Sequence, residues 1–307
     1  MKIKILLSLM LSLFVFGCSS TEQKKDVAID PNESMQIKEK GDQIATEPSV
    51  FIEKRLLSVS NGKPIEYEYV LNSEVIAKEL LNEKGEVVSF TGEIPNGSVK
   101  EYDMENKLTG EMNYNAGKIE GVTKTFYPSG NVETVKNYRN GKLEGVCKEF
   151  YDNGQEKQLS NYKDGLLDGK VKKYSSSGTL LSSAEYSGGE LNGIYKEYYV
   201  TGMTKIETEY FNGKKEGESK EYFSNGSIKN QYNYSQDKLE GESKIYYEDG
   251  SINKIEKYKD NKLNGDTKIF SSNNPEFPMY VDTFVNGKKT LRKAYSGKGE
   301  LIFQMKY

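Results

Sequence analysis

The stretch "GKLEGVCKEFYDNGQEKQLSNYKD", Gly141 to Asp164, recurs in modified form along most of the chain. Gly97, Gly121, Gly145, Gly169, Gly193, Gly217, Gly241 and Gly265 are spaced by 24 residues without a slip. Three residues after each comes a lysine: Lys100, Lys124, Lys148, Lys172, Lys196, Lys220, Lys244 and Lys268. Two further on stands an aromatic, from Tyr102, Phe126 and Phe150 through Tyr174, Tyr198, Tyr222 and Tyr246 to Phe270. Tyr114, Tyr138, Tyr162, Tyr186, Tyr210, Tyr234 and Tyr258 form a third column. Self-similarity held in phase at this period is the signature of a repeat array.

Each unit reads as a β-hairpin. Its first segment, such as "GVTKTFY" (Gly121 to Tyr127), is short, rich in β-branched and aromatic residues, and runs into a turn signal such as "PSG" or "DNG". The second, such as "NVETVKNY" (Asn131 to Tyr138), ends in the column tyrosine and meets "NGK", "DGL" or "GGE". Asn-Gly and Asp-Gly supply the positive φ that tight hairpin turns need. Glycine every 10 to 14 residues interrupts any apolar stripe of helical period, so helix is the poorer reading. An apolar residue two before each phase glycine (Ile119, Leu143, Leu167, Leu191, Leu239, Leu263) is expected to pack beside the aromatics, with Lys215 breaking the column. A lone hairpin is marginal in water, so the units must stack. The expected fold is all-β, an elongated antiparallel array of 24-residue hairpins with Tyr and Phe ladders inside and Lys and acid ladders on the faces. At about 4.8 Å between strands, eight such units extend on the order of 75 Å.

The phased "Y..GK.EG..K.YY..G" pattern resembles the variant MORN repeat of bacteria, including the group labelled YwqK-type antitoxins. It covers Gly97 to Tyr307 and departs from the usual pattern in having no Trp. The resemblance implies a hairpin array and, for the YwqK-type group, a toxin-neutralising partner role. Fold likeness alone implies little about chemistry.

Residues 1–17 read as a signal peptide, with Lys2 and Lys4 before the 12-residue apolar run Ile5 to Phe16, too short to span a bilayer. Gly17-Cys18 after that run resembles a bacterial lipobox, which makes Cys18 the expected lipidation site and membrane anchor. The alternative is an ordinary secretory signal with an incidental cysteine. Ser19 after the cysteine resembles outer-membrane sorting, so the expected location is the envelope of a diderm bacterium, at its outer membrane. Residues 18–49 contain no aromatic beyond the signal and read as a flexible tether. Residues 50–96 are irregular and read as degenerate capping repeats, and residues 97–307 as the array. "SEVIAKELL" fits a short helix or a strand, strand being the preferred reading. "SSNNPEFPMYVDTF" (Ser271 to Phe284) lengthens one unit by two residues and carries Pro275 and Pro278, as a bulged loop would.

Chemistry has few candidates. The sequence has no histidine, which removes imidazole bases and His-metal ligands. Cys147 fills a slot held elsewhere by Thr123, Val171, Tyr195 and Ser219, and reads as a substituted repeat position. The acids before the phase glycines (Glu120, Glu144, Asp168, Glu216, Glu240) are expected on a solvated face, neutralising the lysines beside them. No catalytic, cofactor or metal residue is expected, nor an enzyme. Without Lys2 and Lys4 the 43 basic residues fall to 41 against 46 acidic ones, net −5, which with export disfavours nucleic acid. The possible binding stripe is Lys124, Lys148, Lys172, Lys196, Lys220, Lys244 and Lys268. The expected role is an interaction or scaffolding surface for an unidentified protein partner, the chain acting as a monomer. Anionic lipid or glycan binding through the Lys and Tyr columns is the further alternative. The slots Val122, Val146, Lys170, Ile194, Glu218, Glu242 and Asp266 drift from apolar to acidic and mark the expected partner-facing stripe.

Overall fold

The computed structural model describes residues 51–307; the signal peptide, Cys18 and the tether lie outside the described residues. Within them there is no helix, and one long open sheet of 28 strands is built from repeated hairpins.

One unit shows how the sequence builds them all. Strand Gly145–Phe150 pairs antiparallel with Glu156–Lys163, from Gly145 opposite Tyr162 to Phe150 opposite Glu156, with a register shift between Glu149 and Phe150. The turn between them is closed by the Gly154 N–H on the Tyr151 carbonyl at 2.8 Å. Asp164 and Gly165, both at positive φ, reverse the chain into the two-residue strand Leu166–Leu167, which pairs back on Tyr162 and Lys163. The ladder then breaks at Asp168, and Gly169 at φ +106° re-aims the chain into strand Gly169–Tyr174. The phase glycine is therefore a bulge glycine, and all eight of the column have positive φ. That requirement holds the 24-residue period.

The sheet's two faces differ. Strand alternation puts the Thr123, Cys147, Val171, Ser219, Ser243 and Thr267 column on the face of Tyr138, Tyr162 and their equivalents, because the column tyrosine stands opposite the phase glycine. These small residues are 8 % exposed or less, lying under the larger side chains around them. Leu143 pairs with Tyr138 and Leu167 with Tyr162, as expected. Lys215, where that column breaks, lays its ammonium 4.9 Å from the Tyr234 ring centre and replaces aliphatic cover with a cation–π contact. The other face carries Lys148 and Phe150 with their equivalents, cross-strand from Leu159 and Glu156. The expected division, aromatics inside and lysines outside, is thus corrected: the two aromatic columns occupy opposite faces, and the lysines share one with Phe126, Phe150 and Tyr174.

Contacts repeated once per unit join neighbours. The turn amide of Gly141 donates to the Ile119 carbonyl at 2.9 Å, and Gly165, Gly189 and Gly213 repeat this on Leu143, Leu167 and Leu191. At the opposite end of the strands the hydroxyls of Tyr127, Tyr151, Tyr199 and Tyr247 donate to the carbonyls of Phe150, Tyr174, Tyr222 and Phe270 at 2.7 to 3.1 Å. The acid column makes a third joint. A Glu120 carboxylate oxygen accepts the Asn140 N–H at 2.7 Å, and Glu144, Glu216 and Glu240 accept from Asp164, Gln236 and Asp260. These acids cap the next turn instead of neutralising the lysines, because the amide they reach has no ladder partner there.

The amino-terminal strands β1 (Phe51–Ser60), β2 (Lys63–Leu71), β3 (Glu74–Leu81) and β4 (Val87–Gly92) form a meander. "SEVIAKELL" is strand. This cap does not simply prefix the antiparallel array, however: β1 pairs parallel to β5 (Gly97–Tyr102), giving the order β4-β3-β2-β1-β5. On a flat sheet β4 and β5 stand about four strand spacings apart, roughly 19 Å. Residues 93–96 span at most about 17 Å even when extended, and only by running straight across. The sheet must curl, and the curl encloses Ile52, Tyr69, Ala77 and Val99, each 3 % exposed or less. At the far end, residues 270–279 form the loop expected from the two prolines, and Phe284 takes the place opposite Gly265.

Candidate binding surface

Pairing register lines the lysines up. Glu111 stands between Lys100 and Lys124, Val135 between Lys124 and Lys148, Leu159 between Lys148 and Lys172, and Ser183 between Lys172 and Lys196. Glu207, Gln231 and Ile255 continue the row through Lys220 and Lys244 to Lys268. All seven lysines of the expected stripe therefore lie on one face, one per hairpin. On one side runs the row Val122, Val146, Lys170, Ile194, Glu218, Glu242 and Asp266, and on the other the row Phe126, Phe150, Tyr174, Tyr198, Tyr222 and Tyr246.

Neutralisation along the stripe is uneven. Lys148 pairs with Glu156 at 2.6 Å, Lys196 with Glu207 at 2.9 Å, Lys244 with Glu242 at 3.5 Å, and Lys220 with Glu218. A hydrogen bond to Glu207 holds the Lys196 ammonium above its ordinary range, and one to Glu218 does the same for Lys220. Among the described residues Lys124, Lys172 and Lys268 have no ion-pair partner, although Asp266 lies two residues from Lys268 on the same face. Val122, Val146 and Ile194 are 45 %, 47 % and 39 % exposed beside them. A cavity of about 300 Å³ opens on this face, lined by Lys170, Lys172, Leu180, Ile194, Lys196 and Tyr198.

The tyrosine face is better satisfied. Burial pushes the phenols of Tyr138, Tyr162, Tyr210, Tyr234 and Tyr258 upward, with Glu256 adding to the effect at Tyr258 through a 2.9 Å hydrogen bond. Burial, with the Glu197 hydrogen bond, pushes Tyr195 up to about 12. Cys147 is buried in this face among its repeat equivalents.

Two ionic clusters on this face escape a periodic reading. In the cap, the Lys54 ammonium lies 3.1 Å from Glu79, 3.2 Å from Glu101 and 4.1 Å from the Tyr67 ring centre, while Tyr69 donates to Glu79 at 2.8 Å. Near the carboxyl end Asp282, 3 % exposed, takes two 2.7 Å bonds from Arg292 and pairs with Lys289 at 2.8 Å. Neither cluster recurs from unit to unit, although Asp282 stands opposite Thr267 as Glu256 stands opposite Ser243. The joint tyrosines Tyr127, Tyr151, Tyr199 and Tyr247 did have a signal, the doubled aromatics at 126–127, 150–151, 198–199 and 246–247.

An open sheet of stacked hairpins with one continuous side-chain stripe defines a β-hairpin repeat protein. The repeat itself is recognisable: residues 119–140, 143–164, 167–187, 215–236 and 239–260 each match the family described as MORN repeat variant. The unit beginning at Gly193 falls outside those matches yet has the same register, Gly193 opposite Tyr210. No curated protein matches the chain. Among solved structures, the crystal structure of TcdB2-TccC3-TEV is similar at 12 % identity over 79 % of this chain and 17 % of that one, with a TM-score of 0.18. The Photorhabdus luminescens Tc holotoxin pore gives 12 % identity, 79 % and 17 % coverage and a TM-score of 0.19. This chain spans less than a fifth of either, and likeness at that level carries no argument.

Proposed function

We propose that the sheet is the working part of a membrane-anchored envelope lipoprotein, held by an acylated Cys18 and presenting its lysine face to a protein partner as an interaction or scaffolding surface. The protein performs no chemistry of its own in this reading. The observation that carries the binding surface is the exposure of Val122, Val146 and Ile194 in one row beside a continuous file of lysines. Aliphatic side chains left open among ordered charges favour an interface over a merely solvated face. The lipobox-like Gly17-Cys18 supports the anchor.

Metabolic labelling with palmitate tests the anchor: label is expected on the natural protein and absent from Cys18→Ala. In the same cells a photo-crosslinker placed at Val146 is expected to capture a protein, and one at Lys173, exposed on the tyrosine face, is not. Label that persists without Cys18 removes the anchor, and capture only from Lys173 removes the lysine face.

A further inference from the structure

The stripe is not uniform, and the three units that follow the one at Gly97 differ from the rest in a way that selects a ligand. In the units beginning at Gly121, Gly145 and Gly169 the lysine face carries Lys124, Lys148, Lys170 and Lys172 against Glu156 and Glu185. Glu111 of the preceding unit, opposite Lys124, pairs with Lys100 at 3.8 Å. From Gly193 onward the same face carries Glu207, Glu209, Glu218, Glu242 and Asp266, which balance its lysines. The units at Gly121, Gly145 and Gly169 are also the more aliphatic, with Val122, Val132, Val135, Val146, Leu159 and Leu180 on that face. Uncompensated positive charge thus coincides with exposed apolar surface over about half of the stripe.

Resting on the binding-surface reading, we propose that the lysine face between Val122 and Leu180 receives an extended acidic segment of a partner protein, lying along the array with a carboxylate at every third residue. The geometry sets this spacing. Successive lysines of the file are separated by two strands, about 9.6 Å. Three residues of extended chain advance about 10 Å. Three of polyproline-II chain advance about 9.3 Å and return the side chain to the same side. A carboxylate on every third residue therefore meets Lys124, Lys148 and Lys172 in turn, and the two residues between meet the Val row on one side and the Phe and Tyr row on the other. Lys148 keeps Glu156 as a neighbour, so Lys124 and Lys172 dominate the attraction. The basic strip is one residue wide except at Lys170, whose ammonium pairs with Glu185 at 3.8 Å, and that matches a linear ligand better than a bilayer surface. Its aliphatic and aromatic borders match a chain that brings apolar side chains as well as acids.

The test uses the full chain and fluorescence anisotropy. One probe is a labelled peptide of about nine residues with glutamate at every third position and proline and valine between, its length set by the three-lysine span. Its isomer, of the same composition with the glutamates contiguous, is the second probe. Sulfated dextran and phosphatidylglycerol vesicles are the third and fourth. The spaced peptide is expected to bind about tenfold tighter than its isomer, weakening as salt rises. The double reversal Lys124→Glu, Lys172→Glu is expected to cost about tenfold or more, and Lys196→Glu, Lys244→Glu, at lysines already paired, under about threefold. Equal binding of the two peptides, equal loss in the two variants, or binding by dextran or vesicles alone overturns the proposal. If Val146 still captures a partner in cells while the spaced peptide fails, the binding-surface reading stands and this inference alone falls.

Discussion

Replacing Lys54 by methionine deletes the ammonium at the centre of the cap while keeping an apolar stem over Tyr67. The lysine lies 3.1 Å from Glu79 and 3.2 Å from Glu101, with side-chain exposures of 12 %, 12 % and 21 % respectively. Burial alone would lower the Lys54 pKa, but the carboxylates of Glu101 and Glu79 outweigh it and leave the pKa raised. A raised cationic pKa means that the lysine's contribution is complete below its unfolded value and is lost only as pH rises through the folded one. At neutral pH it is therefore fully present. Removing one member of such a buried set leaves the rest uncompensated, so Lys54→Met is expected to destabilise the cap by about 3 kcal/mol at pH 7. The gap between natural and variant protein should therefore hold through neutral pH and narrow only in strong alkali, as pH rises through the raised Lys54 pKa. Urea titrations followed by circular dichroism, with amide exchange read in β1 and β5, measure both quantities. The cap can open separately from the array, which makes the exchange data the sharper readout. An unchanged midpoint at pH 7, or a gap that does not narrow in strong alkali, would refute the reasoning.

Tyr151→Phe removes the hydroxyl that donates to the Tyr174 carbonyl at 2.9 Å across a unit joint, and is expected to cost about 1 kcal/mol by urea denaturation. Adding Tyr247→Phe, at a joint four units away, should roughly double the loss, since separate joints act independently. Asp282→Asn is expected to cost about 3 kcal/mol at neutral pH, because Arg292 and Lys289 would face an uncharged group in a buried site. The hydrogen bond from Arg292, followed by that from Lys289, holds the Asp282 carboxyl below its usual range. Its contribution is present above the unfolded value of about 3.9 and lost as pH falls through the lower folded one, so the variant's deficit should vanish only in strong acid.

The period, the hairpins and the column membership were legible in the sequence because each follows from a local rule. Positive φ at a bulge demands glycine, a tight turn demands Asn-Gly or Asp-Gly, and alternation along a strand sends neighbouring residues to opposite faces. Residue type was therefore enough to place Gly169, Tyr162 and Lys172 in their ranks and to expect a loop around Pro275 and Pro278. Partnership was not decided this way. Glu144 caps an amide at Asp164, Lys54 draws together β1, β3 and β5, and Asp282 meets Arg292 across a strand pair, none of which a spacing of 24 encodes. The parallel joint of β1 with β5 is likewise tertiary, because a short link can cross three strands, four strand spacings, only when the sheet curls. Which lysines keep a free charge also waited on the fold. Each position along the file supplies the same ammonium, and only the fold decides which carboxylate reaches it. Glu207 comes from the facing strand at Lys196, Glu218 and Glu242 from the same strand at Lys220 and Lys244, and, among the described residues, none reaches Lys124, although Glu111 stands opposite.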